Sequence, residues 1–372
     1  MPLTRTRITA AILVLAAFCL IGPAGAEAGA LLPRGKRIFF GVSDTGDPAD
    51  FGQFSAALHK HPALIESFRT WGSDFPESIE RWQEARARPV LHITTADTAD
   101  GHELIDPRAI AQGYGDEYLI RLNMLFWAKK MPAYIRPLGE PNRCLNVYAS
   151  YDCGGTLRDA AHKPRWYRLA LRRIYIVLHG GGKRAQIDAR LADAGLPALR
   201  SEVNGLPKAP IAVLWSTLPA GSPTVPQNRP KHFYPGDEYV DWVGTDFYSD
   251  NQDWKALTGL YNRFAHKPFS LPEFGVSSGD DPAYMTRLMT WVRRHERCKM
   301  LIYYQDFGST SAYRIQNYPA SLAALSDALH HPVFPAFAPN PPVAPPPPPG
   351  GIAPKPKPTR TASNSLPAGP RI

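Results

Sequence analysis

Two carboxylates end apolar, strand-prone runs in similar settings: Glu140 in YIRPLGEPN and Glu273 in SLPEFG. Tyr, Ile, Val and Leu favour strands, and Pro141 cannot donate to a sheet ladder, so the first run is expected to stop about where Glu140 stands. In a barrel or an open α/β sheet the C-terminal tips of the strands are the edge where chemistry is done. A pair of carboxyl groups facing each other there can hydrolyse a glycosidic bond with retention, one as general acid and base, the other as nucleophile. Other residues at the tips suit a sugar site: the flat rings of Trp71, Trp215, Trp242, Tyr248 and Tyr304 could stack on sugar faces. Arg136 shares a strand with Glu140 and either holds a catalytic carboxylate ionised or fills the barrel as an ion pair. His92, in the third apolar run, reads as a sugar contact or a satisfied core residue rather than a metal ligand.

Eight apolar runs supply the strands that would carry these groups: 37–44, 63–72, 88–95, 133–140, 211–217, 239–248, 268–276 and 299–307. Helix-period segments alternate with them. Asp281-Pro282 gives an N-cap and a first-turn proline, and Met285, Leu288, Trp291 and Val292 then share a face. Leu119, Leu122 and Phe126 do the same after Asp116, as do Leu322, Leu325 and Leu329 near the end. Strand–helix alternation implies a parallel sheet, and eight repeats imply a (β/α)8 TIM barrel over residues 31–337. Glu140 and Glu273 then end the fourth and seventh strands.

Both ends stand apart from this body. Residues 1–30 carry Arg5 and Arg7, an apolar run from Ala10 to Gly22 and an Ala24-Gly25-Ala26 cleavage pattern, which reads as a secretory signal peptide. Residues 338–372 contain PPVAPPPPPGG and PKPKPTRTASN and read as a disordered or polyproline tail, which could associate with a cell wall. The net charge of +9 includes six cations in these ends, so the body carries about +3. That is too mild to argue for nucleic acid. A secreted, extracellular protein is expected, and in that oxidising setting Cys144 and Cys153 would bridge the loop after Glu140 and leave Cys298 as a buried thiol. No cofactor or metal is expected, and the protein reads as a monomer acting on polysaccharide.

The runs IAQGYGDEYLIRL (110–122), YIRPLGEPN (134–142), YPGDEYVDWVGTDFY (234–248) and KPFSLPEFG (267–275) resemble, in order, the landmarks of glycoside hydrolase family 26, the β-mannanase-like family of clan A. The resemblance implies a retaining glycosidase of the mannan endo-1,4-β-mannosidase type, with Glu140 as acid and base, Glu273 as nucleophile and Tyr248 beside the nucleophile. Asn142 and Asp246, inside the quoted runs, join Arg136, Trp71, His92, Trp215, Tyr248 and Tyr304 as expected substrate contacts. The chain departs from the family in three places. Gly139 stands where a histidine usually precedes the acid and base, CLNVYASYDC replaces a tryptophan-bearing loop, and YYQDFG offers Tyr304 or Gln305 where the eighth strand often brings a tryptophan. The departures fall in the subsite loops, so the glycan stays open between β-mannan and other β-linked polymers.

Two other readings compete. Gly275-Val276-Ser277-Ser278-Gly279 matches a nucleophile elbow and His179-Gly180-Gly181-Gly182 an esterase oxyanion loop, with Asp306 and His330 or His331 completing a triad order. A helix ending in a glycine stop accounts for the second motif without any esterase. A barrel that binds polysaccharide without cutting it is the other alternative, although a binding module needs neither glutamate.

Overall fold

The computed structural model describes residues 31–277, 279–306 and 311–343. The segment read as a signal peptide, most of the Pro-rich tail (344–372), Ser278 and Phe307 lie outside them. Eight parallel strands close into a barrel: β1 (Phe39–Ser43), β2 (Leu64–Thr70), β3 (Arg88–Thr94), β4 (Ala133–Pro137), β5 (Ile211–Ser216), β6 in two pieces (Trp242–Gly244 and Phe247–Tyr248), β7 (Phe269–Gly275) and β8 (Cys298–Tyr303). Each pairs with the next, and β8 returns to β1 with Phe40 opposite Leu301. The expected (β/α)8 architecture is therefore present.

The longer helices are α1 (Pro48–Ala57), α2 (Pro76–Ala85), α3 (Asp116–Ala128), α4 (Pro164–His179), α5 (Arg184–Asp193), α6 (Trp254–Arg263), α7 (Pro282–Arg294) and α8 (Pro319–Leu329), and a short helix of five residues, Pro107–Ala111, precedes α3. Between β5 and β6 the described chain makes only short 3₁₀ turns, and β4 is followed by both α4 and α5. Helix α7 starts as its sequence dictates: Asp281 Oδ1 accepts from the Tyr284 N–H at 2.8 Å, with Pro282 in the first turn. Helix α4 ends at His179, where Gly180 takes a left-handed φ of 56°.

Period-two alternation divides the core into two layers. Phe39, Leu64, Val90, Tyr134, Leu214, Trp242 and Met300 fill the barrel, while Phe40, Ile65, Leu91, Ile135, Val213 and Leu301 face the helices. Facing, position along the strand and burial correct three of the expected sugar platforms. Trp215 follows Leu214 by one residue and so faces outward, fully buried against the rings of Tyr234 and Phe264. Trp242 opens β6 at the opposite end of the barrel, its ring edge-on to Tyr134. Trp71 is buried against Tyr118 and lies over Gly115, where an added Cβ would come within 2.4 Å of the indole. Past Phe337, Ala338 is still buried at the barrel floor and the Pro339 carbonyl accepts from Arg88 at 2.6 Å, so the packed body extends beyond the expected boundary.

Candidate active site

Strand β4 stops at Pro137, and the next three residues form a kink that presents Glu140. Leu138 and Glu140 both adopt left-handed backbone, with φ of 50° and 53°. For non-glycine residues this is a sparsely populated region, maintained only where surrounding contacts over-determine it. Those contacts come from both neighbouring strands: the Leu138 N–H donates to Ile93 O at 2.8 Å and the Glu140 N–H to Ser216 O at 3.1 Å. The loop beyond adds more. Tyr148 donates its hydroxyl to Gly139 O at 2.6 Å, and Asn146 donates to Glu140 O at 2.9 Å. Cys144 and Cys153 form a disulfide within that loop, as expected, and Cys298 is a buried free thiol.

Arg136, the last inward residue before the kink, is completely buried and organises the barrel mouth. Its guanidinium donates to Ser216 Oγ at 2.8 Å, to Glu66 Oε1 at 3.3 Å, and closely to Asp246 Oδ2 and Glu273 Oε1. Of the two readings of Arg136, it is both an ion pair filling the barrel and the group that holds Glu273. Glu273 is the fifth residue of β7, and Tyr248 donates its hydroxyl to the other carboxylate oxygen at 2.7 Å. Gly139 is explained by the same guanidinium: an added Cβ would fall 2.9 Å from Arg136 Nε and 3.1 Å from Ser216 Oγ. With this arginine in place, there is no room for a side chain at position 139.

Burial decides the charge states beneath the two glutamates. The Glu66 carboxyl is pushed up to about 8 by burial, against the pull of Arg136 and with Glu273 adding to the rise. Burial likewise raises Asp246 well above the carboxylate range despite Arg136, with Glu273 and Glu140 contributing. Burial and the nearby Arg136 hold His92 well below its ordinary value, so its imidazole is neutral. His92 Nε2 is buried without a hydrogen-bond partner among the described residues.

The remaining expected contacts divide. Tyr304 packs edge-on against Tyr248 and beside Tyr313, with ring centroids 6.2 and 5.1 Å apart, and stays partly exposed. Asn142 is a clip instead of a sugar contact: its amide donates to Leu218 O and its oxygen accepts from Leu218 N, both at 2.9 Å. Gln305 is also consumed internally, donating to Gln316 at 2.6 Å and accepting from the Ile315 N–H. Asp246 lies under the surface on Arg136 and is 5% exposed. Sequence reasoning missed Glu66, Ser216, Arg143 and Tyr313. Glu66 alone left a signal, a lone carboxylate inside the apolar run ALIESF.

The esterase constellation does not assemble. His179 pairs with Asp241 at 3.0 Å, directly before β6 at the floor of the barrel, whereas Ser277 follows β7 at the mouth. The Ser277 hydroxyl has no partner among the described residues, and His330 and His331 bond within their own turn.

Residues 214–296 match the model of glycosyl hydrolase family 26. The resemblance to glycoside hydrolase family 26 is borne out. The matched segment contains Glu273, Tyr248 and Asp246, and the glycoside hydrolase class read from the sequence stands on it. Solved structures share the fold of this family 26-like chain at low identity. A Bacteroides ovatus GH26 β-mannanase aligns with a TM-score of 0.57 and 16% identity over 84% of this chain and 95% of its own. A Cellulomonas fimi endo-β-1,4-mannanase gives 0.58 and 16% over 84% and 76%, and the Bacillus subtilis mannanase BCman 0.51 and 17% over 82% and 88%. Among curated proteins, none matches the sequence.

Proposed function

We propose that this chain is a secreted, retaining endo-β-glycanase that hydrolyses β-mannan or a related β-linked polysaccharide. The observation that carries the reading is the setting of Glu273, a carboxylate receiving Arg136 on one oxygen and Tyr248 on the other, at the same barrel mouth as the kinked Glu140. Two fixed donors suit a nucleophile that must stay anionic until it attacks. In the first step the Glu273 oxygen bonds to the anomeric carbon while Glu140 gives its proton to the departing glycosidic oxygen. In the second, Glu140 takes a proton from water, and the water oxygen displaces Glu273 with net retention. The matches to mannanase folds make β-mannan the first substrate to test. Secretion rests on the N-terminal run, and wall association on the Pro-rich tail.

The test uses purified full chain on β-mannan, mixed-linkage glucan and β-1,3-xylan, with Glu140→Ala and Glu273→Ala variants. Glu140→Ala is expected to retain cleavage of dinitrophenyl glycosides and to be accelerated by azide with retained configuration. Glu273→Ala is expected to give an inverted azide product or none. The opposite pattern would reverse the roles, and binding without turnover by the unaltered chain would favour a non-catalytic module.

A further inference from the structure

Arg143 lies in the cleft with a charge that the mechanism does not use. Its Nη1 is 3.3 Å from Glu140 Oε2, and among the described residues that is the side chain's only hydrogen bond. Arg136 below has spent its donors on Ser216, Glu66, His92, Glu273 and Asp246. Arg143 therefore retains most of the five N–H groups of a guanidinium. It is 26% exposed, and burial, opposed by Glu140, Glu273, Tyr248 and Asp246 in turn, leaves its charge firmly in place. That charge also acts on Tyr313, which packs beside Tyr304.

The position is rigid. The Arg143 N–H donates to Glu140 O and its carbonyl accepts from Asn146 N–H, both at 3.0 Å. Arg143 bridges to Ser222, and the next residue, Cys144, is tied by the disulfide. A sugar settling over Glu140 strips water from the unspent N–H groups. Neutral hydroxyls repay that loss poorly, whereas a carboxylate repays it with two parallel charge-assisted bonds. A substrate carboxylate also needs such a cation to enter a cleft already holding Glu140 and Glu273.

Resting on the proposed glycanase reading, we infer that Arg143 selects a β-linked polysaccharide bearing carboxylate groups, its guanidinium receiving a uronate on a sugar bound beside Glu140. The probe is β-1,4-mannan lightly oxidised at C6 to mannuronate, compared with unoxidised mannan of the same chain length. The unaltered chain is expected to favour the oxidised polymer by at least about tenfold in kcat/KM, chiefly through KM. Arg143→Gln should bring the ratio close to one, and Arg143→Lys should keep part of it, with melting curves confirming that both variants fold. Equal rates on the two polymers, or a preference that survives in Arg143→Gln, would overturn the assignment. If neither polymer is cut, calorimetric binding to the Glu273→Gln chain decides: preference for the oxidised polymer upholds Arg143 while the activity falls, and no preference overturns both.

Discussion

Substituting Gly139 tests the reason this position differs from the family pattern. In Gly139→Ala the new methyl would lie 2.9 Å from Arg136 Nε, 3.1 Å from Arg136 Nη2 and 3.1 Å from Ser216 Oγ, all closer than ordinary contacts. Arg136 is fully buried and bonded on every side, so relief must come from moving its guanidinium or the kink itself. Overpacking of this kind costs about 1–3 kcal/mol, or several degrees in melting temperature for a domain of this size. Activity should suffer further, because Arg136 is also the donor to Glu273. A hydrogen bond to a charged group is worth about 1.5–3 kcal/mol, which predicts a 10- to 150-fold loss in kcat. Thermal melts and kcat on the best glycan would measure both. Unchanged stability and unchanged kcat together would refute the claim that Arg136 excludes a side chain here.

Tyr248→Phe removes the 2.7 Å hydrogen bond to Glu273 and is expected to lower kcat by about 10- to 150-fold with little loss of stability, checked by kinetics beside a melt. Replacing Cys144 and Cys153 by serine opens a link with a sequence separation of nine and should cost about 2–3 kcal/mol in denaturant unfolding. His162 bridges Glu103 and Asp159, each at 2.8 Å, and against burial these bonds raise it to about 9 from 6.5. Its contribution to stability is therefore complete below about pH 6.5 and disappears as pH rises through 9, so the stability gap between the unaltered chain and His162→Gln should close over that window. Glu66 is raised from 4.5 to about 8, so folding favours its protonated form and stability falls as pH rises between those values; Glu66→Gln should flatten that slope in pH-dependent melts.

Most of the barrel was legible because closure requires eight repeats, and each repeat leaves an apolar run bounded by turn or cap residues. The two glutamates were legible for the same reason, since Pro141 and the turn after Gly275 mark where runs end. Facing was harder to read. Trp215 sits one residue from an inward position, and a single step exchanges the barrel interior for the helix layer. Asn142 and Gln305 have the chemistry of sugar ligands, but backbone groups from distant loops claimed them first, which no local pattern reports. The kink at Leu138 and Glu140 was hidden because neither residue type advertises a left-handed φ; the constraint comes from β3, β5 and the disulfide loop.

The charge arrangement at the barrel mouth links these observations. A single buried guanidinium reaches Glu66, Asp246 and Glu273, with Glu140 close behind Asp246. One cation cannot balance four carboxylates at low dielectric, so the most deeply buried ones retain protons. Glu66 and Asp246, at 0% and 5% exposure, are those two. Glu273 lies nearer the opening and has donors on both oxygens, Arg136 on one and Tyr248 on the other. Glu140 is left with Arg143, a cation on a loop fastened by a disulfide instead of by the barrel. The two glutamates are thus served by different arginines, one fixed in the core and one open to the cleft. A ligand that competes for Arg143 therefore alters the surroundings of Glu140 first and those of Glu273 less.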